Sequence, residues 1–419
     1  MEQPRDNKTF EHDNQSELPS QLGTGNLTVL DLASSSPPDN FNPGWSFYAS
    51  FTSLCIITLA VALDATSLSV ALPIISKSLH GSAITAFWCG TSFLLSSTVF
   101  QPTFATLSHI LGRKPLLFIA LLFFTVGAIV GALAQDFTSL LIGRSIQGIG
   151  GGGIISLTEI LITDLVPLRE RGKWFGFQSL TWALGSVTGP LAVKAYSPVI
   201  VGVVVFPETF TIAPASILVG VAVSISGRFR WAIWSGWSLT VLGIGLLYLL
   251  GPETSVPAFV FLNLIPGLGM GLLFSSMNLA TQAAATEKHV GFAAAMYIFM
   301  RSLGQGIGVA VGGVVFQSQF VVELRAYPGL ARNATALAQD ASGLVQVIKA
   351  MPEGAPERIS IVNAYADALK VVWAVMAGLA FVAFVLSFGT KGLSLSAEME
   401  TKQGLKERGD QQRHDQVTQ

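Results

Sequence analysis

Four ionisable side chains stand where ionisable side chains are costly. Asp64, Arg144, Glu208 and Arg301 each fall inside a stretch of apolar sequence about as long as a bilayer core is thick. Charge held in hydrocarbon is rare and commonly marks an ion path or a ligand site. A carboxylate beside a guanidinium inside the membrane is a device for taking up and releasing a proton. Asp64 with Arg144 therefore reads as a proton carrier with its electrostatic partner. Counted at about 1.5 Å per residue, both lie in the outer half of the membrane, where they are expected to face one cavity. The alternative is that both sit near helix ends and reach for the headgroups. Glu208 and Arg301 each fall about ten residues into their runs, hence near the midplane. They are expected to pair, either for coupling or only to position helices.

Small residues surround these charges. Arg144 opens the run Gly143-Arg144-Ser145-Ile146-Gln147-Gly148-Ile149-Gly150-Gly151-Gly152-Gly153. Such glycines, Gly148 and Gly150 among them, let neighbouring helices approach closely. Gly185 and Gly189 lie four apart and precede Pro190, a pattern that permits close packing and a bend. Gly304, Gly308 and Gly312 repeat the theme and read as a packing face. Thr66, Trp88, Gln147, Trp182, Asn278, Gln282 and Gln305 are polar or amphipathic residues in apolar runs, and are candidates for the lining of a substrate cavity. The glycine run is not followed by Gly-Lys-Ser/Thr, so it is no phosphate loop, and no ATP module is read here. No His/Cys cluster has metal spacing, so neither a cofactor nor a metal is expected. No nucleophile–base constellation points to an enzyme.

The elements that must hold these residues are membrane helices. Of the 419 residues, 51% are hydrophobic and 12% charged, with a mean hydropathy of +0.57; soluble domains carry about twice that charge fraction. A net charge of −1 offers no basic surface to nucleic acid. Cys55 and Cys89 lie in apolar runs and read as buried thiols rather than a disulfide. Ten runs reach spanning length, near 46–73, 84–106, 115–135, 139–163, 173–193, 198–224, 231–250, 257–284, 291–316 and 370–389. Pro207, Pro214 and Pro266 inside them are tolerable in a membrane.

With the N-terminus in the cytosol, the short inner loops hold Arg113, Lys114, Arg169, Arg171, Lys173, Arg228, Arg230 and Lys288, against Lys77 and Lys194 outside. The inverse orientation violates the positive-inside bias. The reading is a disordered cytosolic tail over 1–45, helical halves over 46–193 and 194–389, and a cytosolic tail over 390–419. The first run, near Trp45, is expected to serve as its own insertion signal, without a signal peptide. The outer loop 317–369 is expected to form a surface helix over 334–351 and to carry a glycosylation sequon at Asn333. The sequons at Asn7 and Asn26 fall in the cytosolic tail and are expected to stay bare.

Four segments resemble the major facilitator superfamily, in particular its fungal fourteen-helix drug–proton antiporters. Leu63-Asp64-Ala65-Thr66 through Val70-Ala71-Leu72-Pro73 looks like that branch's first-helix motif. Leu107-Ser108-His109-Ile110-Leu111-Gly112-Arg113-Lys114 is similar to the gating loop between helices 2 and 3. Gly143–Gly153 resembles the helix 4 motif, whose arginine is implicated in proton coupling, and Gly185–Pro190 the start of the antiporter motif on helix 5.

The resemblance implies an all-α polytopic transmembrane bundle with two halves and a cavity open alternately to each side. It implies export of small hydrophobic molecules, drugs or fungal secondary metabolites, in exchange for protons across the plasma membrane or, alternatively, the vacuolar membrane. The partners implied are substrate, protons and lipid. His109 stands where the loop usually has an aspartate, and Ala105 where it has a glycine, which bears on gating. After Pro190 the likeness jumps, near Tyr196-Ser197-Pro198, to the family's tenth helix, so helices equivalent to six through nine are absent. A membrane protein that binds a ligand or partner without alternating access is the rival expectation.

Overall fold

The computed structural model describes residues 43–79, 83–192, 198–286, 289–339, 344, 348, 351–352, 354–393 and 395. The expected tails, the sequons at Asn7 and Asn26, and Lys194 and Lys288 lie outside that set. Apolar residues recur all round the long segments rather than on one stripe, as helices surrounded by lipid or by other helices require. The long helices are α1 (Trp45–Ser78), α2 (Ala83–Leu111), α3 (Arg113–Ala132), α4 (Phe137–Leu165), α5 (Leu168–Ala192), α6 (Pro198–Ser226), α7 (Arg230–Leu246), α8 (Val256–Ala283) and α9 (Val290–Arg325). The short α10 (Ala334–Gln339) and the long α11 (Pro356–Ser387) follow.

Each expected run has its helix, and Pro207, Pro214 and Pro266 stay inside continuous helices. Among the described residues, eight helices are long and apolar enough to cross a membrane. Helix α5 opens on Arg169, Glu170, Arg171 and Lys173, and α2 buries a polar face of Ser97, Thr98, Gln101 and Ser108.

Helix α4 is the most enclosed element. A Cβ on Gly148 would overlap Phe93 and Ser96 of α2, one on Gly152 would overlap Ser97, and one on Gly150 would overlap Ala120 and Phe124 of α3. Glycine is what allows these backbones to touch. Phe93, Phe104, Leu116, Phe124, Ile154 and Leu157 fill the remaining space, with Val61 of α1 and Ala295 of α9 at its edges. Gly185 similarly seats α5 against Ala62 of α1, and the Thr66 hydroxyl donates to the Gly185 carbonyl at 3.1 Å. Gly189 and Pro190 are helical, but their surroundings are outside the described set. The glycines of α9 behave otherwise. Among the described residues, nothing lies within 4 Å of a Cβ added at Gly304 or Gly308, and Gly312 has only ordinary contacts with Met376 and Val372. The expected packing face is thus bare over most of its length.

Helices α9 and α11 are longer than their apolar runs. Beyond those runs they form a small cluster of their own, built from Phe320, Leu324, Leu330, Ala334, Ile361 and Ala364. Tyr365 packs edge-on against Phe316 and Phe320. The expected surface helix over 334–351 is described only as Ala334–Gln339. Asn333, the sequon residue, is exposed just before it.

Candidate functional site

A cavity of about 620 Å³ lies among α1, α4, α5, α6, α8 and α9. Three expected lining residues, Trp182, Asn278 and Gln305, border it. The other four do not. Thr66 bonds α5, Gln147 bonds Arg144, Gln282 bonds Arg171, and Trp88 is exposed. The sequence reading missed Glu159 and Tyr297, which also border the cavity together with Phe274 and Gln178. Glu159 had a signal: it is an acid inside the fourth apolar run.

Asp64 and Arg144 are brought together. Arg144 Nη1 donates to Asp64 Oδ2 at 2.7 Å and to Gln147 Oε1 at 2.6 Å. The guanidinium stacks 4.6 Å from the Phe93 ring centroid. The Arg144 side chain is 5% exposed and that of Asp64 25%, so the arginine does not reach for headgroups. The pair fastens α1 to α4, and neither residue lines the cavity. The expectation that they face it is corrected on that point: the turn of α4 that points Arg144 at α1 points Glu159 at the cavity. Burying two charges is tolerable here because they meet each other and Gln147.

Glu208 and Arg301 both border the cavity, but no ion pair joins them among the described residues. Arg301 lies 5.0 Å from the Phe274 ring centroid and borders the cavity together with Glu159 and Tyr297.

The loop between α2 and α3 forms a second charged cluster. Gly112 adopts φ 88°, the left-handed turn that lets α3 start immediately after α2. Arg113 is thereby turned inward, 8% exposed, where its Nε meets Asp164 Oδ2 at 2.9 Å and its Nη1 meets the Ser108 hydroxyl. Lys114 points outward and is exposed. His109, also exposed, has its imidazole held below the ordinary range by partial desolvation and by Arg113 and His289, with Asp164 pulling the other way. Asp164, which the sequence reading did not single out, is the anchor. Further into the bundle, Gln101 Nε2 donates to the Ser302 hydroxyl at 3.0 Å, tying α2 to α9. The loop end is sealed by the buried contacts of Arg113, Ser108 and Asp164.

The profile of the Major Facilitator Superfamily matches residues 54–206. The MFS transporter L2 of Phoma sp. is 38% identical over 529 residues, covering 91% of this chain and 88% of the relative. The MFS-type efflux pump LUC4 of Fusarium sp. is 24% identical over 535 residues, covering 90% and 94%. Among solved structures, the human organic anion transporter MFSD10 is 13% identical with a TM-score of 0.48, covering 80% of this chain and 98% of that one. The alignment with the Phoma transporter is longer than the whole of this chain, so that relative carries internal sequence that is absent here. The identity to that relative and the helical membrane architecture lead to one conclusion: the chain belongs to the Major Facilitator Superfamily, as a multi-pass membrane transporter and not an enzyme.

Proposed function

We propose that the protein exports small hydrophobic molecules, drugs or fungal secondary metabolites, in exchange for protons by alternating access. The observation that carries this reading is the Asp64–Arg144 pair at 2.7 Å inside the bundle. A proton arriving on Asp64 cancels its attraction to Arg144 and frees α1 from α4; its release restores the contact. Neither step needs a nucleotide. The cavity bordered by Trp182, Phe274 and Tyr297 suits an apolar substrate with a few polar anchors. Relatives named efflux pumps support the outward direction. The charge bias of the loops supports placing Arg113 and Asp164 at the cytosolic end, and the likeness to fungal efflux pumps supports the plasma membrane in preference to the vacuolar one. It also supports a glycan on Asn333, and helical halves dividing near residue 194.

The test is substrate movement in vesicles reconstituted with the purified chain. An imposed pH gradient is expected to drive accumulation of a fluorescent apolar dye, and Asp64→Asn to abolish it while the protein still inserts. Undiminished accumulation by Asp64→Asn would remove Asp64 from the coupling role. One observation favours the rival, a binding protein without alternating access: the bare face of α9, in a chain lacking internal sequence that its relative has. Specific dye binding with no gradient-driven accumulation would establish that rival.

A further inference from the structure

A line of buried polar side chains begins at the cavity and ends at the sealed end of the bundle. Glu159 Oε2 accepts from Asn278 Nδ2 at 3.1 Å. Asn278 Oδ1 accepts from Gln282 Nε2 at 2.7 Å. Gln282 Oε1 accepts from Arg171 Nη1 at 2.8 Å. Arg171 also donates from Nε to the Val166 carbonyl and from Nη2 to the Thr163 carbonyl, both at 2.7 Å, bracing the end of α4. Its charge acts on Asp164, the residue that holds Arg113. Glu159, Asn278, Gln282, Arg171, Asp164 and Arg113 are all buried.

Every hydrogen bond from Arg171 to Glu159 runs in one direction. A guanidinium that can only donate stands at one end, and a carboxylate that only accepts when ionised stands at the other. Two amides between them are thereby fixed in orientation. We propose that Glu159 is a coupling residue whose charge is relayed through Asn278 and Gln282 to Arg171 and the Arg113–Asp164 gate, a proposal that rests on the transporter reading above.

A proton taken from the cavity turns the carboxyl into a donor. Asn278 then accepts with Oδ1 and turns its NH2 toward Gln282. Gln282 in turn accepts with Oε1 and presents its own NH2 to Arg171, so two donors face each other in a buried site. That contact costs free energy and is relieved when Arg171 lets go of the end of α4. The ionisable and charged groups that share the site with Glu159 are Arg301 and Tyr297 on α9, and Glu208 on α6 across the same cavity.

The measurement uses the full chain in lipid nanodiscs, with Cys55 and Cys89 replaced by alanine. Spin labels go at Ile110, in the last turn of α2, and at Thr286, just after α8, both exposed. Pulsed-EPR distances then report the ratio of open to closed gate without any need for transport. Glu159→Gln, which imitates the protonated acid, is expected to raise that ratio about tenfold, the scale of one lost charge-assisted hydrogen bond. Gln282→Leu is expected to cut the line, so that adding Glu159→Gln to it changes nothing further. Asn278→Ala serves as a second break should Gln282→Leu fail to insert. An unchanged distance distribution in Glu159→Gln, or a full effect persisting in both broken backgrounds, overturns the relay. A gate shift in a protein that moves no dye would leave the relay standing and sink only the export reading.

Discussion

In α4 the glycines at 148, 150 and 152 press into the backbones of α2 and α3, whereas in α9 those at 304, 306 and 308 meet no described atom within 4 Å. The two helices look alike as sequence. Yet 78% of the most apolar window of α4 is buried, against 11% for α9. The starts of the helices differ in the same sense. The Asp136 side chain caps α4, accepting from the Ser139 backbone N–H at 2.7 Å, while His289 makes no side-chain cap for α9. Removing a side chain only permits close approach; stabilisation comes from the neighbour that occupies the space.

The contrast can be broken most forcefully at Gly150. Gly150→Leu drives a side chain into Ala120 and Phe124 backbone atoms. It is expected to cost at least about 3 kcal/mol, at the upper end of core overpacking, and to be read as a large fall in the melting temperature of the detergent-purified protein. A near-normal melting curve would mean that α3 and α4 are not seated as described.

A smaller effect is expected from Asp136→Ala. Hydrogen bonds from Ser139 hold the Asp136 carboxyl below the usual carboxylate range, so its contribution is present above the ordinary aspartate pKa and is lost as pH falls through the lowered one. The variant should melt slightly below the parent at neutral pH, and the gap should close in strong acid. A gap that stays constant on acidification would show that the cap is not the source.

The smallest effect belongs to α9. Gly308→Leu meets open space and is expected to shift stability by less than about 0.5 kcal/mol. A loss as large as that at Gly150 would reveal a partner lying on that face.

The helices themselves were legible because spanning length and apolarity leave few alternatives; Trp45–Ser78 and Pro198–Ser226 start within a few residues of their expected positions. The start of helix α11 was not, because Pro356 to Ala368 are held by packing on Phe320 and Leu324 rather than by apolarity. In the site, Asp64 and Arg144 stood out as isolated charges in apolar runs, and they meet. Which face of α4 each charge takes was not legible. At about 100° and 1.5 Å per residue, Arg144 and Glu159 stand only about 60° apart round α4 but about 22 Å apart along it, so they meet different neighbours, and only the packing of α1, α8 and α9 decides which. Glu208 and Arg301, matched by depth, border one cavity without an ion pair among the described residues.

Helix α9, with 36 residues, extends for about 54 Å, well past a hydrocarbon core of about 30 Å. Its far end, capped by α10 and the start of α11 around Phe320, Leu324 and Ile361, is therefore a rigid knob beyond the lipid. An antibody fragment raised to that knob gains a firm grip without intruding on the membrane helices. Such a handle adds the mass and asymmetry that single-particle imaging of a small transporter otherwise lacks.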